Sequence, residues 1–464
     1  PLSDLVDKGK RWDAENPGAY EKHANAIGPE DLATLIYTSG TTGQPKGVML
    51  VHECWCSTAE GVSEVMQDVL EEGDKQYLFL PLSHSYGKVL EFIAIRLGIP
   101  TAVHGDVSYI VQGLAEVRPS FMGSVPRVFE KVYNKIVSGA REKGPRAYAM
   151  FQWALGVGRE VSGLRQQGAE PGPVLGLKYW LARKLVFDKI KAAFGGRIRL
   201  FNSGGAPLAK EIAEFFHAAD LLIIEGYGLT ETSAASFNNR FDNYKFGTVG
   251  LPNPGIEVKV SDDGEVLLRG RPVMRGYYNM PEATAEALEP DGWFHTGDLG
   301  SLDEDGFLTI TGRKKELIVT AGGKNIAPAK AEGLLKSRCP YISQVVVHGD
   351  RRNFCVALVT VDEEAITQWA AENGIPHEGY ADLAGKREVH DLVWRHVETV
   401  NAELPSFETI KYIHVLDHDL SIESGELTPT LKVKRNVVEA RYEHVLDKFY
   451  EGTVASMIGE SPPA

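Results

Sequence analysis

Between Tyr37 and Gly47 the chain reads YTSGTTGQPKG, which packs three glycines, four Ser or Thr hydroxyls and one lysine into a short loop. The loop follows an apolar, strand-like run, LATLIY. Glycines let a backbone fold tightly and bring its N–H groups close to a ligand. Those N–H groups, the hydroxyls and the Lys46 ammonium are donors suited to phosphate oxygens. The loop is not a Walker loop, which needs G-x-x-x-x-G-K-S/T at the start of a helix. Here Lys46 follows a proline and precedes a glycine, so the helix must start later. A bare loop of this composition could also be an ordinary Ser/Thr/Gly turn, the less favoured of the two readings. Other motifs decide between the two.

Five further segments follow: SGGAPL (203–208), GYGLTET (226–232), GWFHTGDLG (292–300), TGRKKELIVTAGGKNIAP (311–328) and ELTPTLKVKR (426–435). With the first loop, their content and order resemble the AMP-forming carboxylate-activating ligases, the superfamily of acyl-CoA synthetases, luciferases and peptide-synthetase adenylation domains. The resemblance runs from about Asp31 to about Arg435. VPRVFEKVYNKI, GRKKELIV and TPTLKVKR look most like long-chain fatty acyl-CoA synthetases.

The resemblance implies a reaction in two halves. A carboxylate attacks the α-phosphorus of ATP and expels pyrophosphate, then a thiol attacks the acyl adenylate and AMP leaves. The first step brings an anion to a polyanion, so it needs fixed positive charge, from lysines and a magnesium ion. By resemblance Thr38, Ser39, Gly40, Thr41, Thr42, Gly43 and Lys46 hold phosphate. Gly204, Gly205 and Ala206 approach one face of adenine, and Tyr227 with Gly228 the other. Thr230 contacts the α-phosphate. Glu231 beside a triphosphate would be repulsive without a metal between, so it is read as a magnesium ligand, with Thr38 helping. Asp298, an acceptor-only carboxylate, is assigned to the ribose hydroxyls, with Arg313 as a second contact. Lys432 matches the mobile catalytic lysine, and Lys434 is its obvious confounder. Many relatives place Gly before this lysine; here Leu431 stands there. Lys315 matches a hinge, and Gly322 and Gly323 a loop that lines the CoA channel after rotation. His84 matches a residue beside the acyl pocket. The usual aromatic-acidic-basic triplet after it is replaced by Tyr86-Gly87-Lys88.

These residues need scaffolding, and the chain has the length for it. At 464 residues, 43% hydrophobic and 24% charged, it fits a globular protein of two or more domains. A net charge of −14 argues against a nucleic-acid partner. Four scattered cysteines read as reduced thiols and point to a cytoplasmic protein. Peripheral membrane contact and a homodimer stay open. From Leu32 to about Glu225, β-like runs alternate with amphipathic segments (54–70, 86–97, 109–117, 126–141, 147–166, 176–194, 208–218), which predicts α/β layers around a buried sheet. From 248 to 311 the runs EVKV, EVLLRG, GYY, WFHTGD and FLTITG predict a small β-barrel-like subdomain. Residues 317–455 predict a compact, mobile α+β domain ending in one helix over 435–449, after a hinge at 313–316. Residues 1–312 then form the large domain, whose N-terminal part looks missing relative to the family. The tail 456–464 reads as disordered.

The expected activity is therefore ATP-dependent conversion of a long-chain fatty acid to acyl-CoA, with ATP, Mg2+ and coenzyme A. Rivals are an acyl-AMP ligase that loads a carrier protein, a CoA ligase for a medium-chain or aryl acid, and a non-catalytic nucleotide-binding homologue. The joint presence of Lys46, Glu231, Asp298, Arg313 and Lys432 disfavours the last.

Overall fold

The computed structural model describes residues 1–38, 45–66, 69–428 and 431–451. Ser39, Gly40, Thr41, Thr42 and Gly43 of the phosphate loop, and the tail, lie outside the described residues. The largest sheet has seven strands, in the order Thr101–Val103, Gln76–Leu78, Phe121–Ser124, Leu200–Ser203, Leu222–Tyr227, Phe237–Asn238 and Leu251–Pro252. The first five run parallel and the last two antiparallel. Runs such as FMGS are buried at every position, as parallel strands covered by helices must be. Phe129 on helix Pro126–Glu142 and Phe215 and Phe216 on helix Lys210–Ala218 pack with Phe194 and Phe201, mostly edge to face. That layer fixes the parallel strands, and PLSH, SGGAPL and GYGLTET all follow their carboxyl ends. Crevices at that edge are where open α/β sheets bind ligands.

Strands Leu32–Thr38 and Lys46–Val51 pair antiparallel, with Thr38 opposite Lys46. The phosphate loop thus joins two strands, and helix His52–Met66 starts only afterwards. Strands Ile256–Val260, Glu265–Gly270, Phe294–Leu302 and Leu308–Arg313 form a four-stranded antiparallel sheet. GYY does not belong to it: Gly276–Tyr277 pairs with Val48 and Met49 beside the phosphate loop. The C-terminal part has a sheet of Ile342–His348, Cys355–Val361 and Ile410–Val415, antiparallel then parallel, with its own apolar core. Helices Pro328–Arg338 and Arg387–Asn401 contribute Leu335, Val389, Val393 and Val397 to that core.

Two helical expectations are corrected. The run read as one helix over 435–449 breaks at Tyr442 into Arg435–Arg441 and Glu443–Lys448. The run read as 176–194 starts earlier and passes through a π turn, as Pro173–Ala182, Arg183–Phe187 and Asp188–Ala193. Helices Leu2–Glu15 and Ala19–Ala26 were not expected and bury no residue.

Candidate active site

Asp298 and Arg313 are cross-strand partners, and the Arg313 Nε donates to Asp298 Oδ1 at 2.7 Å. The Tyr227 hydroxyl donates to Asp298 Oδ2 at 2.7 Å. Both carboxylate oxygens of this buried residue are thus oriented by neighbours. Burial, reinforced by the Asp298 carboxylate, holds the Tyr227 phenol well above its ordinary value. Tyr227 therefore stays a donor.

A second group forms around Tyr277. Its hydroxyl donates to Glu231 Oε1 at 2.9 Å, and the Lys46 ammonium lies 4.7 Å from its ring centroid. Tyr277 links the acidic and basic candidates of the phosphate site, and sequence reasoning missed it. Its signal was the run GYY, whose pairing with Lys46–Val51 is non-local. Thr230 is buried, its hydroxyl 3.2 Å from that of Ser85. The loop here is tight: a Cβ on Gly228 would sit 1.9 Å from the Ala234 carbonyl oxygen. Ser233 and Ala234 hold φ of 55° and 75°, the left-handed region that stores strain in non-glycine residues.

SGGAPL crosses the sheet edge with the Gly204 N–H donating to the Ser124 carbonyl at 3.1 Å. Gly204 is buried, whereas Gly205 and Ala206 are exposed. His84 caps helix Ser85–Leu97, its Nδ1 accepting from the Tyr86 N–H at 3.2 Å. Burial, then the nearby Lys432 ammonium, keeps the imidazole below its ordinary value. The accepting Nδ1 carries no proton, so a neutral ring is protonated at Nε2.

Lys432 comes from the C-terminal part. Residues Leu427 and Val433 bridge, and Thr428 and Lys432 exchange hydrogen bonds, so the lysine sits on a tight turn. Leu431 has φ of 60°. That is the left-handed region, which glycine adopts without cost and an L side chain resists. Crowding by the cleft walls, then Arg313, pushes the Lys432 ammonium down, while Asp298 and Glu316 oppose this. The residue keeps solvent contact, so the cleft surrounds it without sealing it. The Lys432 ammonium lies within electrostatic reach of His84, Arg313 and Asp298. Gly322 and Gly323 occupy an exposed turn between the short paired strands Ile318–Val319 and Asn325–Ile326, and Gly323 has φ of 73°. Lys315 lies in the single turn Lys314–Glu316 at the end of the β subdomain.

Behind Tyr86 lies a narrow apolar cavity of about 60 Å³. Val62, Met66, Val89, Leu90 and Ile93 from two helices line it, with Phe241. Its polar wall is a chain: the Tyr86 hydroxyl donates to Asn202, whose Nδ2 donates to Asn238 Oδ1 at 2.9 Å. No contiguous motif marks these residues; only the crossing of helices over strands collects them.

A nucleotide-type loop, a carboxylate aimed by tyrosine and arginine, and a lysine delivered by a second domain are the parts of an adenylate-forming enzyme. Residues 3–278 match the AMP-binding enzyme family and residues 315–454 its C-terminal domain. The chain is 40% identical over 97% of its length to the long-chain-fatty-acid–CoA ligase FadD15 of Mycobacterium bovis, covering 74% of that protein. It is 35% identical over 92% of its length to the peroxisomal long chain acyl-CoA synthetase 7 of Arabidopsis thaliana, covering 62% of it. Among solved structures, the adenylation domain of a carboxylate reductase from Mycobacterium chelonae superposes with a TM-score of 0.70 at 23% identity, covering 91% of this chain and 60% of that one. The chain belongs to the AMP-binding enzyme family.

Proposed function

We propose that this protein converts a long-chain fatty acid to acyl-AMP with release of pyrophosphate, then passes the acyl group to CoA and releases AMP. The observation that supports the proposal best is Asp298, held by the Arg313 Nε and the Tyr227 hydroxyl at 2.7 Å each, within electrostatic reach of Lys432 from the C-terminal domain. Asp298, oriented by Tyr227 and Arg313, takes the ribose hydroxyls. Lys46 and the phosphate loop take the β- and γ-phosphates, and Thr230 the α-phosphate. Lys432 then meets the charge that grows on the α-phosphate as the carboxylate oxygen attacks. The cavity behind Tyr86 takes part of the alkyl chain, and His84 is assigned to the acyl pocket by resemblance. Gly322, Gly323 and the hinge at Lys315 serve the thiol step.

Magnesium fits the donors present. Glu231 has one oxygen on Tyr277 and a second to offer, and Thr38 supplies a hydroxyl. No group of three or more His, Cys, Asp or Glu among the described residues forms a cage of its own. That suits an ion held mainly by substrate phosphates and water. When bound, it neutralises phosphate charge. Contact with a membrane surface fits a substrate that partitions into bilayers.

The test is product analysis with ATP, magnesium and a panel of acids, with and without CoA. Pyrophosphate and acyl-AMP should form with long-chain acids, and thioester and free AMP only when CoA is added. Formation of ADP and phosphate would overturn the reaction class.

A further inference from the structure

The continuous helical segment Pro173–Ala182, Arg183–Phe187 and Asp188–Ala193 is apolar on two faces. Its inner face is settled: Tyr179, Ala182, Val186, Phe187 and Ile190 are buried in the main core. The Tyr179 hydroxyl ties it down by donating to the Ala218 carbonyl at 3.0 Å. Its outer face carries Val174, Leu177, Trp180, Leu181 and Leu185, exposed at 71%, 62%, 55%, 40% and 41%. A helix apolar all round belongs in a core or against a second apolar phase, and a contiguous apolar patch on a surface marks an interaction site.

The charges say which partner. Residues 173–193 hold five Lys or Arg (178, 183, 184, 189 and 191) and one acid, Asp188, in a chain of net charge −14. Lys191 faces inward to Asp220 at 3.1 Å, and Lys184 pairs with Asp188 at 3.0 Å. Lys178, Lys184 and Lys189 are exposed around the apolar stripe. A second copy on this face would bring like charges together. An anionic lipid surface would meet both features, with Trp180 and the leucines at the headgroup–acyl boundary and the lysines reaching the phosphates. The acidic remainder of the molecule would be repelled, which orients it on the surface. No helix among the described residues is long and apolar enough to cross a membrane.

We propose that the outer face of residues 173–189 is a docking surface for an anionic bilayer. It rests on this helix alone, so it stands or falls separately from the acyl-CoA reading. Vesicles of phosphatidylcholine with and without phosphatidylglycerol are sedimented with the full chain, at low and high salt. The chain should bind the anionic vesicles and be released by salt. Leu177→Ser/Trp180→Ser and Lys178→Glu/Lys184→Glu should each weaken binding by about tenfold or more. Both should melt like the parent protein and release pyrophosphate normally with a water-soluble acid. Brominated lipid should quench the parent's fluorescence, and the Trp180→Phe variant should bind but lose most of the quenching. Equal binding to neutral vesicles, unaltered binding by both double variants, or a dimer lost in Leu177→Ser/Trp180→Ser without lipid binding would each overturn the proposal.

Discussion

Lys432 is a charge on a strained turn, and both properties have measurable consequences. Lys432→Ala should lower pyrophosphate release by about a hundred- to a thousandfold, the cost of losing one preorganised donor at a developing charge. Thioester formation from supplied acyl-AMP should persist; equal loss in both halves would make the lysine structural. Leu431 holds a backbone shape that an L side chain resists, so Leu431→Gly should raise stability slightly or leave it unchanged, where glycine at an ordinary position destabilises by about 0.5–1 kcal/mol. A clear fall in melting temperature would refute this. A different residue, Glu225, sets a pH dependence. It is buried at the carboxyl end of Leu222–Tyr227, with Oε2 accepting from the Leu208 N–H at 2.9 Å and Oε1 without a partner. Burial pushes its carboxyl from 4.5 up to about 7. The folded state then binds the proton more tightly than the unfolded state, so stability falls as pH rises across that window and is level above it. The span corresponds to about 3 kcal/mol. Glu225→Gln should raise the melting temperature at about pH 8 and change it little at about pH 5, because amide and protonated acid are alike there. An identical shift at both pH values would remove Glu225 as the cause.

At the scale of elements, the sequence made some things legible and hid others for one reason. Strands such as Phe121–Ser124 and Leu222–Tyr227, and the helices over them, were readable because apolar periodicity is local. The segments around Lys46, GYGLTET and TPTLKVKR could be singled out because each is a contiguous run, and their roles rest on resemblance. Tyr277 on Glu231, Ser85 on Thr230 and the cavity wall of Tyr86, Asn202 and Asn238 were not, because pairs 46, 145 and 116 positions apart come together only through sheet order. A Cβ on Gly123 would meet Leu90 Cδ1 at 2.4 Å and the Tyr86 hydroxyl at 3.2 Å. Gly123→Val would push both inward, so the preferred acid should shorten by several carbons while turnover with the best short acid stays near normal. Uniform loss across all chain lengths would place the acyl chain elsewhere. Gly323 has positive φ, so a side chain there would strain the backbone whatever the channel does, whereas Gly322 would place its Cβ no nearer than 3.9 Å to Thr320. Gly322→Leu is the cleaner test of a thiol channel.

The whole molecule must hold two bodies in register for Lys432 to arrive where it does. Part of their contact is a buried polar chain. From helix Pro126–Glu142, Arg127 lies 3.5 Å from Glu130 and donates to the Ser343 hydroxyl of the C-terminal sheet at 2.6 Å. Ser343 in turn donates to Asp419 at 2.6 Å, and Lys336 of the C-terminal domain lies 3.4 Å from Glu130. Arg127, Glu130 and Ser343 are all buried. Removing one partner of a buried ion pair costs up to about 3–5 kcal/mol when the other charge is left uncompensated, and less for Arg127 because Lys336 still faces Glu130. Here the cost falls on the union of the two bodies rather than on either core, since each has its own apolar cluster. Arg127→Met should therefore lower pyrophosphate release sharply, with little change in affinity for ATP and little loss of thioester formation from supplied acyl-AMP. Arg127→Met/Glu130→Met should recover part of the thermal stability without recovering adenylation, because the buried Glu130 charge is gone while Lys336 loses its partner and the link to Ser343 is not restored. Arg127→Lys, which keeps a charge on Glu130 but not the planar fork, should fall between the two. If all three variants keep the parent's ratio of the two half-reactions, the register of the bodies is set elsewhere, and the chain Arg127–Ser343–Asp419 serves only to hold the fold.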